Sequence, residues 1–288
     1  MQCRLPIART AVSLVLLLDL CMPGDVKAAE KVSATVLVKD SLTAPRQPAM
    51  IEAKLLAKGL LHDSPLGGEP VELVVNGSTA ATGMTGGDGR ALLSLVTAVR
   101  GIVPIQIRVG ASPRVSAAEG QANLVVWDRR TPVLVVELSS LMEEPRFEGP
   151  LPDIVSAIQQ DMRPMADAAN ELGKLSQFYY GIIYVATVPP GGDPFPITSD
   201  ARRWLSSHKF PLGLTLALPS GEDAVGAQID QLHEAGWKTV KIGIGRSKAF
   251  VEPFLRRRLE AIMIPEPKGD VPRKAKVAKD WKEVRKKL

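Results

Sequence analysis

Val133-Leu134-Val135-Val136 is a short, uninterrupted apolar run that opens a regular alternation of strands and helices. Four more apolar runs follow it along the chain, at Gly181 to Val185, Leu212 to Leu218, Thr239 to Ile244 and Ala261 to Ile264. Helical patterns separate them, at Asp153 to Met162, Met165 to Leu175, Asp200 to Ser207, Ala224 to Ala235 and Phe250 to Arg258. Continuous apolar strands that alternate with helices predict a parallel sheet covered on both faces. The fold class predicted for residues 131–270 is therefore α/β, Rossmann-like.

The preceding part of the chain, residues 30–128, has a β pattern. Its apolar runs are Val32 to Val38, Ile51 to Leu56, Val71 to Val75, Ala91 to Val96, Ile102 to Val109 and Leu124 to Trp127. Turn sequences such as Asn76-Gly77-Ser78 and Gly86-Gly87-Asp88-Gly89 separate them. Six or seven short strands at this spacing predict an antiparallel β-sandwich. The stretches Pro65 to Val71 and Asp88 to Ala91 resemble the "PLxGxPV" strand and "DGxA" hairpin of bacterial immunoglobulin-like modules. No catalytic constellation is visible in this half.

The first 28 residues have the pattern of a signal peptide. Arg4 and Arg9 precede an apolar core from Val12 to Leu18, and Val26-Lys27-Ala28 offers a cleavage site before Ala29. The core is shorter than the ~18 residues of a spanning helix. We therefore expect a secreted or periplasmic protein cleaved after Ala28, with an uncleaved signal anchor as the alternative. Both cysteines, Cys3 and Cys21, lie in this leader, so no disulfide is expected afterwards.

The formal charge of +5 is concentrated at the C-terminus. Nine Lys or Arg residues lie between Lys268 and Leu288, against three acids. Because the remainder is close to neutral, no nucleic-acid partner is expected. Residues 271–288 are predicted to form a basic tail. Trp281 and its basic neighbours suit contact with an anionic lipid or polymer surface, and a disordered solubilising tail is the alternative.

Three sequence stretches in the α/β half resemble the haloacid-dehalogenase-like phosphatases, in particular the lipin/Nir-type branch linked to phosphatidic acid. Residues 184–189, Tyr-Val-Ala-Thr-Val-Pro, resemble its "YL[ST]ARP" motif. Residues 201–205 and 210–213 resemble its "TRxWL" and "LPxG" motifs. Residues 241–246 and 264–269 resemble its "GFGNR" and "INPKG" motifs. The resemblance covers residues 131–270 and implies the fold of that superfamily.

The resemblance also implies where the chemistry should lie, and those positions have changed. The nucleophile, the acid/base and the Thr of the family's DxDxT motif correspond to Glu137, Ser139 and Leu141. Ala186 stands where the phosphate-binding Ser or Thr is expected, and Phe250 where a Mg²⁺-binding Asp is expected. The segment from Ser220 to Gln231 lacks the Lys that would hold the transferring phosphate. We therefore expect no catalytic residues and no metal or other cofactor, with Mg²⁺ only if the site is active after all.

An anion-binding remnant is a separate expectation. Thr187, Gly243, Gly245, Arg246 and Lys248 are the candidate ligand-binding residues, because they fall near the predicted start of a helix. The glycines have an alternative explanation as a tight turn between strand and helix. The three histidines are dispersed and show no zinc-ligand spacing.

Together these features predict an exported, bacterial, non-catalytic relative of the phosphatases. Its expected ligand is a phosphorylated lipid similar to phosphatidic acid, or a protein partner. One alternative is an active Mg²⁺-dependent phosphatidate-type phosphatase with an atypical site. The other is a structural or adhesive surface protein. The sequence leaves the oligomeric state open.

Overall fold

The computed structural model describes residues 31–143, 162–267 and 269–288 of the 288-residue chain. The predicted signal peptide lies outside these ranges, as does the predicted helix from Asp153 to Met162 except for Met162 itself. Two units are present, a β-sandwich followed by an α/β unit, as the sequence pattern predicts.

The sandwich consists of two stacked sheets. The first contains β1 (Ala34–Val38), β3 (Pro48–Ala57), β4 (Ser64–Pro65) and β7 (Arg90–Val96), with β3 at its centre. The second has the order β2 (Ser41–Thr43), β9 (Glu119–Val126), β8 (Gly101–Val109), β5 (Pro70–Val75) and β6 (Ser78–Met84). All pairs are antiparallel except β2 with β9. Alternate residues of both sheets, such as Ile51, Leu73 and Ile107, are buried between them.

The α/β unit has one six-stranded parallel sheet. Its order is β12 (Leu214–Pro219), β11 (Gly181–Val188), β10 (Val133–Glu137), β13 (Val240–Gly245), β14 (Glu260–Met263) and β15 (Lys276–Val277). The chain runs outward from β10 in one direction to β12 and then crosses to β13 on the other side. The strand order therefore reverses between β10 and β13, and the crevice at such a reversal is where parallel sheets bind ligands.

Helices cover both faces of this sheet. The described helices are α1 (Ala168–Phe178), α2 (Pro194–Ser207), α3 (Glu222–Glu234), α4 (Lys248–Arg256) and α5 (Trp281–Lys287). Helices α3 and α4 pack on the face that includes Val133 and Val135. Helices α1, α2 and α5 pack on the face that includes Leu134 and Val136. Each strand of the centre is thus buried on both sides, which explains its continuous apolar sequence.

The C-terminal region, residues 271–288, contains a short helix and packs against the rest of the α/β unit. Its strand β15 pairs with β14, and α5 packs against the sheet with Trp281 and Val284 fully buried. Several basic residues pair with acids, including Lys282 with Asp167 at 2.8 Å. The alternative of a disordered tail was wrong, because Ala278, Trp281 and Val284 together form one buried apolar stripe.

A buried ion pair joins the two units. Asp40, at the end of β1, has a fully buried side chain whose Oδ1 lies 2.6 Å from Arg202 Nη1 of α2. The same carboxylate accepts hydrogen bonds from the amides of Asn123 at 2.8 Å and Thr215 at 3.0 Å. Burial raises the pKa of Asp40, and the charge of Arg202 and these hydrogen bonds partly offset that effect. Residues of both units therefore share one polar network.

The start of α2 makes a second contact between the units. Asp193 caps the helix by accepting a hydrogen bond from the Phe195 amide and lies 2.5 Å from Lys54 Nζ of β3. The Phe195 ring is fully buried, with Lys39 Nζ 4.4 Å from its centroid. In the part of the chain that the structure describes, no helix is long and apolar enough to cross a bilayer.

Candidate functional site

The crevice at the strand-order reversal lies between the ends of β10 and β13. Glu137 is the last residue of β10 and is followed by a 3₁₀ turn, Leu138–Leu141. Gly245 ends β13, and Ser247 caps α4 by accepting a hydrogen bond from the Phe250 amide. The crevice is thus where the sequence comparison placed the nucleophile, and the side chain at that position is Glu137.

The carboxylate of Glu137 is bound to the start of α4. Its Oε2 accepts hydrogen bonds from the Arg246 amide at 2.6 Å and the Ser247 amide at 2.9 Å. Its Oε1 accepts a third from Ser247 Oγ at 2.7 Å. Glu137 is 6% exposed. Amides at a helix start carry the positive end of the helix dipole and favour a bound anion. Here the protein's own carboxylate is that anion.

The other positions compared with the phosphatase motifs are buried, except for Ser139. Leu141 is fully buried and Phe250 is 3% exposed, so both side chains belong to the core. Ala186 is buried inside β11. Ser139 is exposed in the 3₁₀ turn, whose neighbour Ser140 donates to the Glu137 carbonyl at 2.6 Å. The apolar substitutions at 141, 186 and 250 therefore fit the packing of this unit.

The five candidate ligand-binding residues are only partly brought together. Arg246 is next to Glu137, but its guanidinium donates to the backbone carbonyl of Met142. Lys248 Nζ pairs with Asp270 at 2.9 Å. Thr187 is exposed on β11. Within the described ranges, no hydrogen bond or ion pair links Thr187 to Arg246 or Lys248.

The two glycines are explained by packing against aromatic rings. A Cβ on Gly243 would lie 2.6 Å from the Phe254 ring. One on Gly245 would overlap the Phe250 ring and lie 2.8 Å from Glu137 Oε2. Real Cβ atoms do not approach so closely, so α4 can sit this near β13 only with glycine at both positions. This geometry matches the alternative of a tight strand-to-helix turn.

The residues at the crevice do not fit Mg²⁺, the metal that the family resemblance implies. Mg²⁺ requires hard oxygen ligands with free lone pairs. Three of the four acceptor positions of the Glu137 carboxylate are taken by hydrogen bonds, and the position where the resemblance expects a metal-binding Asp holds the ring of Phe250. Among the described residues, no group of three or more His, Cys, Asp or Glu side chains converges on a metal position.

Sequence reasoning missed two features of this arrangement. It did not assign Ser247 as the partner of Glu137, since the two are 110 positions apart in sequence. A Ser followed by a helical pattern was an available signal for the cap. It also missed the ion pair between Asp40 and Arg202, because two charged residues from different units that pair in the fold show no local sequence pattern.

No protein-family model and no curated protein matches this chain. Among solved structures, this chain is weakly similar to a D,D-heptose 1.7-bisphosphate phosphatase from B. bronchiseptica crystallised with magnesium and phosphate. That alignment has a TM-score of 0.41 and 8% identity, and covers 55% of this chain and 100% of that one. The D00-D0 domain of intimin aligns with a TM-score of 0.23 and 18% identity, covering 33% of this chain and 46% of that one.

A CARDB domain of a Pyrococcus furiosus protein, crystallised with di-metal ions, aligns with a TM-score of 0.23 and 15% identity. It covers 34% of this chain and 94% of that one. At these scores the similarities describe shape and establish no shared chemistry.

Proposed function

We propose that this protein is an exported, non-catalytic binding protein whose α/β unit is a phosphatase-like scaffold with a closed site. The observation that carries the proposal is the Glu137 carboxylate bound by the Arg246 amide, the Ser247 amide and the Ser247 hydroxyl. A carboxylate held in this way has its oxygens directed at donors of the protein and not at a substrate.

Two physical arguments speak against phosphoryl transfer at this crevice. A nucleophilic carboxylate needs a free lone pair aligned with the phosphorus, and misplacement by ~1 Å is costly. The transferring phosphoryl group also needs cations or donors to neutralise its charge. In this chain the donors at the start of α4 are engaged by Glu137 itself, and Lys248 is paired with Asp270. An active, Mg²⁺-dependent phosphatase is therefore the less favoured alternative.

A protein partner is the ligand class we favour. Phosphate at the start of α4 would have to displace a carboxylate that already has three hydrogen bonds. The sandwich instead exposes apolar side chains on the outer face of β3 and β7: Met50 is 56%, Leu92 65% and Val96 60% exposed. Strand β7 pairs with the central strand β3, so these three side chains lie on the same face of one sheet. Exposed apolar side chains grouped on one face are typical of protein contact surfaces.

A phosphorylated lipid such as phosphatidic acid is the second candidate ligand. The observation that favours it is the helix start itself, with the exposed Lys248 in the first turn of α4 and the exposed Thr187 near the end of β11. Binding there requires the Glu137 side chain to move away from the Arg246 and Ser247 amides. A structural or adhesive role without a ligand in the crevice is the remaining alternative.

Phosphate binding to the wild type and to Glu137→Ala separates these possibilities. We expect no stabilisation of the wild type by inorganic phosphate in a thermal unfolding assay, and stabilisation of Glu137→Ala, because its amides are freed. Glu234→Ala, which removes an exposed acid from α3, is the control and should behave as the wild type. Wild-type binding to phosphatidic acid vesicles in preference to phosphatidylcholine vesicles, lost in Thr187→Val, would favour the lipid over a protein partner.

Export is proposed from the leader sequence alone. Cleavage before Ala29 in the secreted or periplasmic protein, detected by N-terminal sequencing, would support it. Recovery of the chain with its leader intact in the membrane fraction would instead indicate a signal anchor.

A further inference from the structure

A second concave region lies where the sandwich meets the linker to the α/β unit, far from the crevice in sequence. It is a depression of ≈ 970 Å³. Its walls come from the turn between β2 and β3, the loop between β7 and β8, and the linker after β9. Nine residues line it: Ala44, Pro45, Arg46, Gln47, Ala98, Arg100, Asp128, Arg129 and Arg130. We call this region the arginine pocket.

The charge of the arginine pocket is strongly one-sided. Four arginines line it against one acid, Asp128, which pairs with Arg100 at 3.0 Å. Within the described ranges, no carboxylate lies at ion-pair distance from Arg46, Arg129 or Arg130. Bringing like charges together in a concave surface costs free energy and raises the local concentration of counter-ions. A bound anion would remove that cost.

Arg46 is held through its backbone and Arg129 through its side chain. Arg46 has φ 63°, the left-handed conformation that non-glycine residues rarely adopt, and its amide donates to the Thr97 carbonyl at 2.7 Å. Arg129 lies with its guanidinium carbon 5.6 Å from the Trp237 ring centroid. It also passes so close to Gly236 that a Cβ there would overlap it. Strain kept at a surface turn, next to convergent charges, is a feature of binding sites.

We propose that the arginine pocket binds a small ligand carrying several phosphate or sulfate groups. Guanidinium groups form paired hydrogen bonds with such oxyanions, and their fixed shape favours them over a lysine cluster for this purpose. The volume lies within the range of ordinary ligand sites. The linker residues Asp128 to Arg130 join the two units, so an occupied pocket holds the turn, the loop and the linker together. The site shares no residue with the crevice at Glu137.

The test is calorimetric titration with tripolyphosphate of the chain from Ala29 onward, which keeps every described residue. Long-chain polyphosphate and inorganic phosphate are the second and third probes. We expect tripolyphosphate to bind, inorganic phosphate to bind at least about tenfold more weakly, and both affinities to fall as salt is raised. Binding of long-chain polyphosphate alone would overturn the proposal, because it would indicate an extended surface and not a pocket.

The decisive variant is Arg46→Asn/Arg130→Gln, since Asn tolerates the left-handed backbone that residue 46 requires. We expect it to bind tripolyphosphate about tenfold or more weakly than the wild type. The matched control is Arg203→Gln/Lys209→Asn, which removes the same charge outside the pocket and also places Asn at a left-handed position, φ 58°. It should stay within about twofold of the wild type.

Equal weakening in both double variants would overturn the proposal, because it would show an effect of net charge alone. So would the absence of wild-type binding at low salt. If the double variant does not fold, as judged by its circular dichroism and thermal transition, Arg130→Gln alone replaces it. Arg130 is exposed, so its removal should leave the fold intact. If Arg130→Gln then bound tripolyphosphate as tightly as the wild type, the proposed binding at the arginine pocket would be contradicted.

Discussion

Glu137 has two readings at the level of the single residue. The family resemblance places Glu137 at the nucleophile position, where its side chain is one methylene longer than Asp. In the structure its carboxylate is the anion bound at the start of α4. The sequence predicted that Glu137 follows an apolar strand, and Glu137 is the last residue of β10. The sequence could not reveal that the Glu137 carboxylate binds the start of α4, since the donors belong to Arg246 and Ser247, more than one hundred positions later. Local pattern carries no information on such pairs.

Replacing Glu137 should therefore affect stability. Hydrogen bonds to a charged group contribute about 1.5–3 kcal/mol each and are not additive. We expect Glu137→Ala to lower the free energy of unfolding by about 3 kcal/mol, and Glu137→Gln by less, because Gln can keep some of the contacts. Urea denaturation measures both. Losses no larger than that of Glu234→Ala, an exposed acid, would show that the carboxylate is not held by α4.

Some strands and helices were predicted close to their observed positions, and others were missed or misplaced. Strand β10 and the helices with clear apolar stripes lie within a few residues of their predicted positions. Strand β6 was missed because its sequence, Ser78 to Met84, is small, polar and exposed, so it lacks the alternation that marks a strand. Helix α2 begins at Pro194, six residues before the predicted start, since prolines in its first turn resemble a loop. Proline is tolerated there because the first helical amides have no partner.

Helix α5 offers a direct test of the corrected C-terminus. We expect Trp281→Ala to lower the free energy of unfolding by about 3–5 kcal/mol, because it empties a fully buried position. Lys286→Ala on the exposed side of the same helix should change it by less than about 0.5 kcal/mol. Chemical denaturation compares the two variants. A tail free in solution would make both substitutions neutral, and that result would contradict the packing of α5.

The cap of α2 should make stability depend on pH. Burial alone would raise the pKa of Asp193. The hydrogen bonds from Lys54 and the Phe195 amide, with the charges of Lys54 and Arg90, outweigh burial and lower it below the ordinary 3.8. A lowered pKa stabilises the folded state above the ordinary value, and this contribution is lost as pH falls through the lowered pKa.

Asp193→Asn keeps an oxygen that can cap α2 but loses the charge paired with Lys54, so it should be less stable than the wild type by up to about 1 kcal/mol near neutral pH. The difference should stay constant down to about pH 5 and shrink below about pH 4. Unfolding curves at a series of pH values measure it. Asp200→Asn, an exposed acid of the same helix, is the control and should show little difference at any pH. If the stability difference between Asp193→Asn and the wild type increased as the pH fell, the lowered pKa of Asp193 would be contradicted.

At the scale of the whole molecule, polar contacts join the two units, and the sequence of neither unit predicts them. The two-unit organisation followed from the change in hydrophobic period near residue 128. The contact between the units could not be predicted in this way, because the buried pair Asp40 and Arg202 joins residues 162 positions apart in sequence. The net charge was similarly misleading, since Lys276, Lys282 and Arg285 of the C-terminal region are paired with acids within the fold.

Breaking that joint should cost more than an ordinary surface substitution. Arg202→Met leaves the Asp40 carboxylate buried without its cation, for which we expect a loss of about 3–5 kcal/mol. Arg203→Met, at the exposed neighbouring position, should cost less than about 0.5 kcal/mol. Adding Asp40→Asn to Arg202→Met should recover part of the loss, as a double-mutant cycle by denaturation would show. Additive losses would mean that the two residues do not interact.

The closed crevice at Glu137 is the centre of this account, and phosphate release tests it most directly. The wild type and Glu137→Gln would be assayed with Mg²⁺ on an aryl phosphate and on phosphatidic acid. We predict release at the level of the protein-free background for both chains. Turnover by the wild type that Glu137→Gln abolishes would contradict the account, since it would show a working nucleophile in place of a carboxylate bound to its own helix.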